Sequence, residues 1–233
     1  MANRTVAVVP AAGQGRRMGA KTPKQFLTLG GLPLLVHSLR VLEASDDVQA
    51  IVLAVSKAEL DYCRQEIVSA YRFKKVQAVV EGGEERQDSV GLGMAAVGAE
   101  ADIVLVHDAV RPFLTTGMVA RVIAAAAKHG AAIVAIPVRD TVKRVGADGL
   151  IDETVDRKSL WSAQTPQAAR RTLLQEAHTQ AKRDGFRGTD EAQLIERLGQ
   201  RVAIVEGSTE NIKVTRPEDL MIAEAILAGR QKG

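Results

Sequence analysis

The sequence predicts an α/β fold that is doubly wound around a mostly parallel sheet. From Thr5 to Ile136, short β-branched runs alternate with longer segments of helical periodicity, which is the order of repeated β-α units. The short runs are continuously apolar, as strands are when helices cover both faces of a parallel sheet. With 233 residues, of which 46% are hydrophobic, the chain has the size and composition of one domain. We therefore expect residues 1–233 to form a single domain.

The first part of the chain predicts three strands, each followed by a helix. The strand Thr5–Val9 is a β-branched run, and the helix Leu34–Ala44 places Leu35, Leu39 and Leu42 in one row. Two further strand–helix pairs follow, namely Ala50–Val55 with Lys57–Ala70 and Val76–Val80 with Arg86–Val97. Such alternation gives parallel strands whose connecting helices cover the sheet.

The alternation continues through the middle of the chain. The strand Ile103–Val106 precedes the helix Thr116–Lys128, which ends at Gly130, a residue typical of helix C-termini. Ala132–Ile136 is predicted as a fifth strand. The last third adds two helices, a strand and a final helix, which are Arg171–Arg183, Asp190–Leu198, Val202–Val205 and Pro217–Leu227.

A different pattern follows Pro137. The stretch "TVKRVGADGLIDETV" (residues 141–155) predicts two short strands around the turn Gly146–Gly149. Because an isolated two-stranded hairpin is only marginally stable in water, this one needs a surface to lie on, and a second subunit would provide it. We therefore expect a protruding β-hairpin arm over residues 138–160 that joins two chains in a homodimer.

Composition argues against several classes of protein. The single cysteine, Cys63, allows no intrachain disulfide, and an aromatic content of 3% with a net charge of +3 does not favour nucleic-acid binding. No apolar run approaches the 18 residues of a membrane span, so no membrane association is expected. The apolar run from Val6 is broken at Pro10, unlike a secretory signal. We expect a cytoplasmic protein.

Polar loops follow the predicted strands. Each of them carries glycine, proline or charge, and they are Ala11–Pro23, Glu81–Glu85, His107–Pro112 and Pro137–Thr141. In open α/β sheets, ligands bind beyond the carboxyl ends of the strands. We therefore expect these loops to form the functional site.

The first of these loops has the composition of a phosphate-binding loop. Ala11, Ala12, Gly13 and Gly15 carry little or no side chain, so that backbone N–H groups can approach a polyphosphate closely. Positive charge surrounds them on Arg16, Arg17, Lys21 and Lys24. A glycine-rich turn with solvated basic side chains would have the same sequence pattern, so the loop alone does not establish phosphate binding.

Two well-known phosphate loops do not fit this segment. A Walker A loop requires G-x-x-x-x-G-K-[ST], which the segment does not supply. The dinucleotide fingerprint G-x-G-x-x-G fails because Gly19 comes one residue too late and Pro23 interrupts the helix that should follow. No acidic residue stands at the end of the next predicted strand, where a ribose would need one.

Nine blocks spread over nearly the whole chain carry a more specific signal. They are "PAAGQGRRMG", "PKQF", "GGEERQDSV", "VHDAVRPF", "PVRDTVKRV", "TVDR", "QTPQ", "TDEA" and "NIKVTRPEDL". In this order they resemble the 2-C-methyl-D-erythritol 4-phosphate cytidylyltransferases, which are nucleotidyltransferases of the non-mevalonate isoprenoid pathway. The resemblance implies a Rossmann-like nucleotidyltransferase fold.

The resemblance also implies a reaction. The 4-phosphate of methylerythritol phosphate would attack the α-phosphate of CTP in line, and pyrophosphate would leave. Because the attacking group is already an oxyanion, no strong general base is needed. Catalysis would then consist mainly of positioning and of stabilising the charge that grows on the α-phosphate.

Site residues follow from the matching positions. Arg17 and Lys24 would stabilise the transition state, and Arg157 and Lys213 would position the second substrate. Contacts to the nucleotide are implied for Ala11, Ala12, Gly13, Gly83, Glu84 and Ser89, with Glu84 standing where the family commonly has aspartate. Contacts to methylerythritol phosphate are implied for Asp108, Arg111, Thr141, Thr165 and Thr189.

The cofactor and the arrangement of the dimer also follow from the resemblance. Mg²⁺ would accompany CTP, since a triphosphate is normally handled as its metal complex and magnesium binds phosphates directly. The sequence names no protein ligand for the metal. Arg157, which lies beyond the hairpin, would serve the active site of the other subunit.

Two alternative functions remain open at the level of sequence. A cytidylyltransferase for another polyol phosphate, such as ribitol 5-phosphate, would share the loop and the cations but differ in the second-substrate pocket. A non-catalytic nucleotide-binding or assembly module with the same fold would be expected to lose catalytic cations. The presence of Arg17, Lys24 and Lys213 argues against that module.

Overall fold

A computed structural model describes residues 3–13 and 22–232 of the chain. Arg17, to which the sequence assigns a catalytic role, lies outside these residues. The strands are β1 (Thr5–Ala11), β2 (Thr28–Leu29), β3 (Leu32–Pro33), β4 (Ala50–Val55), β5 (Val76–Glu81), β6 (Ile103–Val106), β7 (Ala131–Pro137), β8 (Val142–Val145), β9 (Ile151–Val155), β10 (Trp161–Arg170) and β11 (Ala203–Glu206).

The helices agree with the predicted ones within a few residues at each end. They are α1 (Leu34–Ala44), α2 (Leu60–Tyr62), α3 (Arg86–Ala95), α4 (Thr116–His129), α5 (Arg171–Arg183), α6 (Glu191–Arg197) and α7 (Pro217–Lys232). The helix predicted over residues 57–70 is helical but irregular, with a 3₁₀ turn before α2 and a π-helical turn, Cys63–Ser69, after it. Among the helices of the described residues, none combines the length and apolar character that crossing a bilayer requires.

Seven strands form the main sheet, in the order β11-β7-β10-β6-β1-β4-β5. Four of its six pairings are parallel, and β10 alone runs antiparallel, to β6 on one side and to β7 on the other. The prediction of a mostly parallel, doubly wound sheet is therefore confirmed. Chain direction explains why the loops after β1, β5 and β6 meet at one edge.

Side chains of the central strands alternate between two apolar clusters, one on each face of the sheet. Along β1, Ala7 and Val9 face the cluster that includes α1 and α4, whereas Val6 and Val8 face the one that includes α3, α5 and α6. β4 and β6 divide their side chains in the same way. Both faces are thus covered, which is why these strands read as continuous apolar runs.

Strand β10 is a correction to the predicted set of elements, in which no strand covered residues 161–170. Its sequence, WSAQTPQAAR, carries polar residues and a proline, and Pro normally argues against a central strand. The pairing register with β7 shifts between Ala163 and Gln167, and Pro166 lies within that irregularity. The missing N–H of proline is therefore accommodated where the ladder is already interrupted.

The hairpin predicted after Pro137 is present. β8 and β9 pair in antiparallel register as a separate two-stranded sheet, from Val142–Val155 to Val145–Ile151. Its apolar side chains are largely exposed, with Val145 at 54%, Leu150 at 67% and Ile151 at 62%. The hairpin therefore presents apolar surface outside the main sheet.

Candidate active site

A cavity of about 290 Å³ lies at the carboxyl ends of the central strands. Its lining comes from the end of β1 and the residues after it, the turn before β2, the start of α3, the loop after β6 and the loop before α7. The lining residues are Pro10, Ala11, Ala12, Gly13, Lys24, Gln25, Gly83, Glu84, Glu85, Arg86, Ser89, Asp108, Ala109, Val110 and Lys213.

The winding of the chain places this cavity at the switch point of the sheet. β4 and β5 extend the sheet on one side of β1, and the connection from β5 then returns across it to β6 on the other side. α1 packs on one face of the sheet and α3 on the opposite face. A crevice opens where two such connections diverge, and it is the usual ligand site of this architecture.

The first loop is held against the residues that follow it. Gln25 is buried, and its side-chain amide donates to the carbonyl of Ala11 at 2.7 Å. A Cβ atom added to Gly13 would lie 3.7 Å from Cε of Lys24, so the lysine stem crosses the loop in van der Waals contact. The ammonium of Lys24 and the backbone of residues 11–13 therefore face the same cavity.

Ser89 organises the segment at the start of α3. Its hydroxyl accepts from the backbone N–H of Gly83 at 3.1 Å and lies 3.1 Å from the carbonyl of Glu85, to which it can donate. Asp88 accepts from the N–H of Glu85 at 3.3 Å, as in a helix-capping interaction. These local bonds shape the turn at residues 83–89, which Arg86 also ties to Asp108 and Glu191.

Glycine is required at both positions that begin this segment. A Cβ at Gly82 would approach Cβ of Ala12 to 2.6 Å, and a Cβ at Gly83 would approach Cβ of Asp88 to 2.4 Å. Both distances are shorter than any normal contact between carbon atoms. The absence of a side chain at Gly82 lets the two loops approach each other, and its absence at Gly83 lets the second segment turn tightly into α3.

Asp108 is the electrostatic centre of the site. Its side chain is buried, and its two oxygens accept from Nε of Arg86 at 2.8 Å and from Nζ of Lys213 at 2.7 Å. Nε of Arg111 lies 3.8 Å away. Burial by itself raises the pKa of Asp108, but attraction to Arg86 and Lys213 outweighs it and holds this pKa well below the usual range.

Arg86 is also held by Glu191, on the side of the guanidinium away from Asp108. Its two terminal nitrogens donate to the two carboxylate oxygens of Glu191, each at 2.8 Å. Burial lowers the pKa of Arg86, but Glu191 and Asp108 outweigh it and raise this pKa, so the guanidinium stays charged. Counting Arg86, Arg111 and Lys213 against Asp108 and Glu191, the cluster has three cations and two carboxylates, a balance that suits phosphate.

A buried hydrogen-bond chain fixes the backbone of Asp108. Its N–H donates to Oγ1 of Thr165 at 3.0 Å, which leaves the threonine hydroxyl to donate to Nδ1 of His107 at 3.1 Å. Nε2–H of His107 then donates to the carbonyl of Arg111 at 3.2 Å. Burial lowers the pKa of His107 to about 4, so the ring is neutral, as this chain of bonds requires.

Nine of the residues implied by the sequence line this one cavity. They are Ala11, Ala12, Gly13, Lys24, Gly83, Glu84, Ser89, Asp108 and Lys213. Arg111 and Thr165 lie behind Asp108, and NH1 of Arg111 donates to the carbonyl of Asn211 at 2.7 Å. Thr189 is exposed just before α6.

The two remaining residues lie on the hairpin arm. Thr141 precedes β8 and is exposed, and Arg157 follows β9, where its NH1 donates to the carbonyl of Arg139. Within the described part of the chain, neither lines the cavity. Reasoning from sequence did not single out Arg86, Glu191, Gln25 or Asn211, although all four fall inside the blocks that carry the resemblance.

In residues 3–13 and 22–232, no three His, Cys, Asp or Glu side chains are grouped so as to hold a metal ion. Asp108 keeps acceptor capacity, because a carboxylate offers about four lone-pair sites and the two close cations take one each.

Comparison with known proteins relates the chain to one family. The model of the family described as IspD, 2-C-methyl-D-erythritol 4-phosphate cytidylyltransferase, matches residues 5–229. A protein of that name from Pelotomaculum thermopropionicum is 49% identical over 229 residues, covering 98% of this chain and 96% of its own length. Another from Syntrophotalea carbinolica is 50% identical over 221 residues, covering 94% of each chain.

Solved structures show the same relationship in three dimensions. The 4-diphosphocytidyl-2C-methyl-D-erythritol synthase from Anaerococcus prevotii superposes with a TM-score of 0.87 at 30% identity and covers 97% of both chains. The 2-C-methyl-D-erythritol 4-phosphate cytidylyltransferase from Thermus thermophilus gives 0.77 at 37% identity, covering 96% of this chain and 98% of its own.

Proposed function

Because the chain belongs to the 2-C-methyl-D-erythritol 4-phosphate cytidylyltransferase family, we propose that it transfers CMP from CTP to methylerythritol phosphate. The products are 4-diphosphocytidyl-2-C-methyl-D-erythritol and pyrophosphate, and the reaction serves isoprenoid precursor biosynthesis. One observation supports this proposal above others. Lys24, Lys213 and Asp108, from three separate loops, line a single cavity at the switch point of the sheet.

The bonds that form and break in this reaction belong to the substrates, so the protein needs to supply little covalent chemistry. A phosphate oxygen of the acceptor forms a bond to the α-phosphorus of CTP, while the bond from that phosphorus to the bridging oxygen of pyrophosphate breaks. Negative charge gathers on the α-phosphate oxygens, and Lys24 stabilises it, joined by Arg17. Backbone N–H groups of Ala11, Ala12 and Gly13 would bind the phosphates at close range.

Recognition of the nucleotide falls to the start of α3. Gly83 and Ser89 would contact the cytosine and ribose, with Glu84 at the exposed side of the cavity. Ser89 already holds the backbone of this segment through its bond to the N–H of Gly83. A shaped backbone can present a carbonyl to the 4-amino group of cytosine and reject the carbonyl of uracil.

The second substrate would lie between Asp108 and Lys213. A carboxylate accepts from the hydroxyls of a polyol, and an ammonium donates to its phosphate. Thr189 would join this group from the start of α6, and Arg111 and Thr165 would act by fixing Asp108. Their contacts to Asp108 and to the loop before α7 support that assignment.

Mg²⁺ is part of the proposal. Phosphate oxygens of CTP would hold the cation, since magnesium keeps several waters and needs few protein ligands. Asp108, a buried carboxylate of the lining with acceptor capacity left, lies in the region where the cation would act. When bound, the cation neutralises charge on the departing pyrophosphate.

We further propose that the hairpin arm of residues 138–160 makes the enzyme a homodimer. Val145, Leu150 and Ile151 give the arm exposed apolar surface for a second subunit, and Thr141 and Arg157 lie at its base. Each arm would bring Arg157 to the neighbouring active site. The cytoplasm is the proposed location, because neither charged substrate crosses a bilayer unaided.

A panel of acceptors tests the proposal. Pyrophosphate release is measured with CTP and either methylerythritol phosphate or ribitol 5-phosphate, and with no acceptor as the control. Rapid release that needs methylerythritol phosphate is the expected result. A preference for ribitol 5-phosphate would assign the enzyme to another polyol phosphate, and no release with any acceptor would refute cytidylyl transfer.

A further inference from the structure

Arg86 joins three segments of the chain that are distant in sequence. It is the first residue of α3, its Nε donates to Asp108 after β6, and its terminal nitrogens donate to Glu191 in the first turn of α6. The first of these segments carries the residues that would bind the nucleotide. The other two carry Asp108 and Thr189, which would bind the second substrate.

Glu191 is held as firmly as Arg86. Its side chain is only 3% exposed, and its backbone N–H donates to Oε1 of Gln167 at 3.1 Å. Asp190, which precedes it, caps α6 by accepting from the N–H of Gln193 at 2.9 Å. The carboxylate of Glu191 therefore has a fixed position from which it clamps the guanidinium.

The desolvation cost of the Arg86–Glu191 ion pair suggests that the pair orients other groups more than it stabilises the fold. Two buried charges lose hydration on folding, and their attraction repays this loss only when hydrogen bonds are excellent, so a buried ion pair is weak evidence for stability. With both terminal nitrogens on Glu191, the guanidinium plane is fixed, and in this orientation Nε donates to Oδ1 of Asp108. Lys213 holds the other oxygen, Oδ2.

The nucleotide segment, in which Arg86 itself lies, also has hydrogen bonds that do not involve Glu191. Residues 83–89 are shaped by Ser89 and Asp88, whose bonds to Gly83 and Glu85 are local. Loss of Glu191 would therefore disturb the orientation of Asp108 while the nucleotide segment keeps its own hydrogen bonds. The two substrates should respond differently to the same substitution.

We propose that Arg86 and Glu191 are positioning residues that fix the carboxylate of Asp108 for the second substrate. This inference rests on the proposed function, because it takes Asp108 as a group that contacts the polyol phosphate. Arg86 forms part of the cavity lining, but in this proposal the pair acts on the second substrate through Asp108. The two residues also hold the segment that starts α6 in register with the segment that starts α3.

The substitution Glu191→Gln tests the pair with little change of shape. Its amide cannot accept both guanidinium nitrogens, so Arg86 loses its fixed orientation. We expect the KM for methylerythritol phosphate to rise roughly 10- to 100-fold, as for a misplaced catalytic contact. The KM for CTP should stay close to the wild-type value, a split that a general loss of folded enzyme would not produce.

A matched control lies at the other end of the same helix. NH2 of Arg197 in α6 donates to Oδ2 of Asp184 at 2.8 Å, away from the cavity. Asp184→Asn breaks this pair as Glu191→Gln breaks the other, and it should leave both KM values unchanged. A rise in the KM for methylerythritol phosphate in the control would assign the effect to α6 in general and overturn the proposal.

Arg86→Lys tests the other partner, because one ammonium cannot serve both carboxylates. If the residues act as a pair, the double variant should be no worse than the poorer single variant. If Glu191→Gln yields too little folded protein, Arg86→Lys tests the proposal in its place. Its KM for methylerythritol phosphate should rise while its KM for CTP stays close to the wild-type value. Activity of the wild type is established first, since its absence would refute the proposed function itself. An active wild type with equal KM changes for both substrates in these variants would refute the positioning role alone.

Discussion

The ammonium of Lys213 lies 2.7 Å from Oδ2 of Asp108, although the two residues come from loops on different parts of the chain. One of them follows β6, and the other precedes α7. Together they offer a hydrogen-bond acceptor and a cation at the same point of the cavity. A polyol phosphate needs both, since its hydroxyls donate and its phosphate accepts.

Lys24→Ala should abolish most turnover and leave the fold intact. The side chain crosses Gly13 into the cavity, where charge grows during reaction, and it lies outside the three apolar clusters of the described residues. Loss of one such donor costs roughly 10²–10³ in rate, or about 3–4 kcal/mol. The measurement is kcat at saturating CTP, methylerythritol phosphate and Mg²⁺.

Lys128→Ala is the control for that substitution. Lys128 is exposed in the last turn of α4, far from the cavity, and its removal should change neither kcat nor the melting temperature appreciably. If Lys24→Ala kept kcat within tenfold of the wild type, as judged against the typical loss for such a donor, its catalytic role would be wrong.

Gly83→Ala should impair nucleotide binding. The added Cβ would meet Cβ of Asp88 at 2.4 Å, so Gly83 and the start of α3 must move apart. A shift of about 1 Å can cost up to about 100-fold, and we expect the KM for CTP to rise by roughly tenfold or more. Binding of CTP, followed by calorimetry, gives the same answer without catalysis.

Gly229→Ala provides the contrast. In α7 a Cβ at this position meets no heavy atom of the described residues within 4 Å. Alanine is the better helix former, so the variant should gain about 0.5–1 kcal/mol of stability and bind CTP normally. Equal CTP affinity in Gly83→Ala and Gly229→Ala would show that the close packing around Gly83 does not shape the nucleotide site.

The fold could be predicted from sequence wherever an element is defined by its own pattern. α1 and α5 agree with the expected ranges to the residue, because their apolar spacing and their ends are local signals. β10 could not be predicted. Its polar side chains are buried by partners from elsewhere, with Gln164 donating to the carbonyl of Ser208 and Gln167 to Asp190.

The residues of the candidate site also fall into those that could be predicted from sequence and those that could not. Gly13, Gly83 and Asp108 could be predicted because each follows a strand and stands in a recognisable block. The pair of Arg86 and Glu191 could not, since 105 residues separate its partners and nothing in the two blocks that contain them indicates that their side chains meet. Only the fold brings the two charges together, because α6 packs against α5 and β7 while α3 packs against α5 and β1.

Acid should destabilise the protein through His107. Burial lowers its pKa to about 4 from the ordinary 6.5, whereas unfolding restores the ordinary value, so between these values the unfolded state binds the extra proton. Stability is therefore complete above about pH 6.5 and falls by up to roughly 3 kcal/mol as the pH drops to about 4. Burial also lowers the pKa of His178, which adds to the same trend.

The variant His107→Gln isolates the contribution of His107 to the pH dependence of stability. The free energy of unfolding of the variant should depend less steeply on pH between about 4 and 6.5. His178 should account for the pH dependence that remains in this window. Asp108, whose pKa is depressed, contributes its own loss of stability only at more acidic pH. Identical slopes for variant and wild type in denaturant titrations across this window would contradict the assignment.

Arg157 should act in the active site of the other subunit. Lys24→Ala and Arg157→Ala proteins are mixed, unfolded and refolded together, with each variant refolded alone as the control. Random pairing makes half of the dimers mixed, and each mixed dimer has one intact site, so about one quarter of wild-type activity should return. Mixtures that contain heterodimers, shown by two affinity tags, yet remain as inactive as their parents would place Arg157 in its own chain's site.

The most direct test of the central claim is pyrophosphate release with methylerythritol phosphate and each of the four ribonucleoside triphosphates. CTP and UTP have the same shape and differ at the 4-position, where one carries a donor and the other an acceptor, so a site built around that donor can discriminate by several orders of magnitude. We predict rapid release with CTP alone, matched by an equal amount of product in which CMP is joined to the polyol through a diphosphate. Comparable kcat/KM for UTP, or pyrophosphate released without that product, would contradict the account.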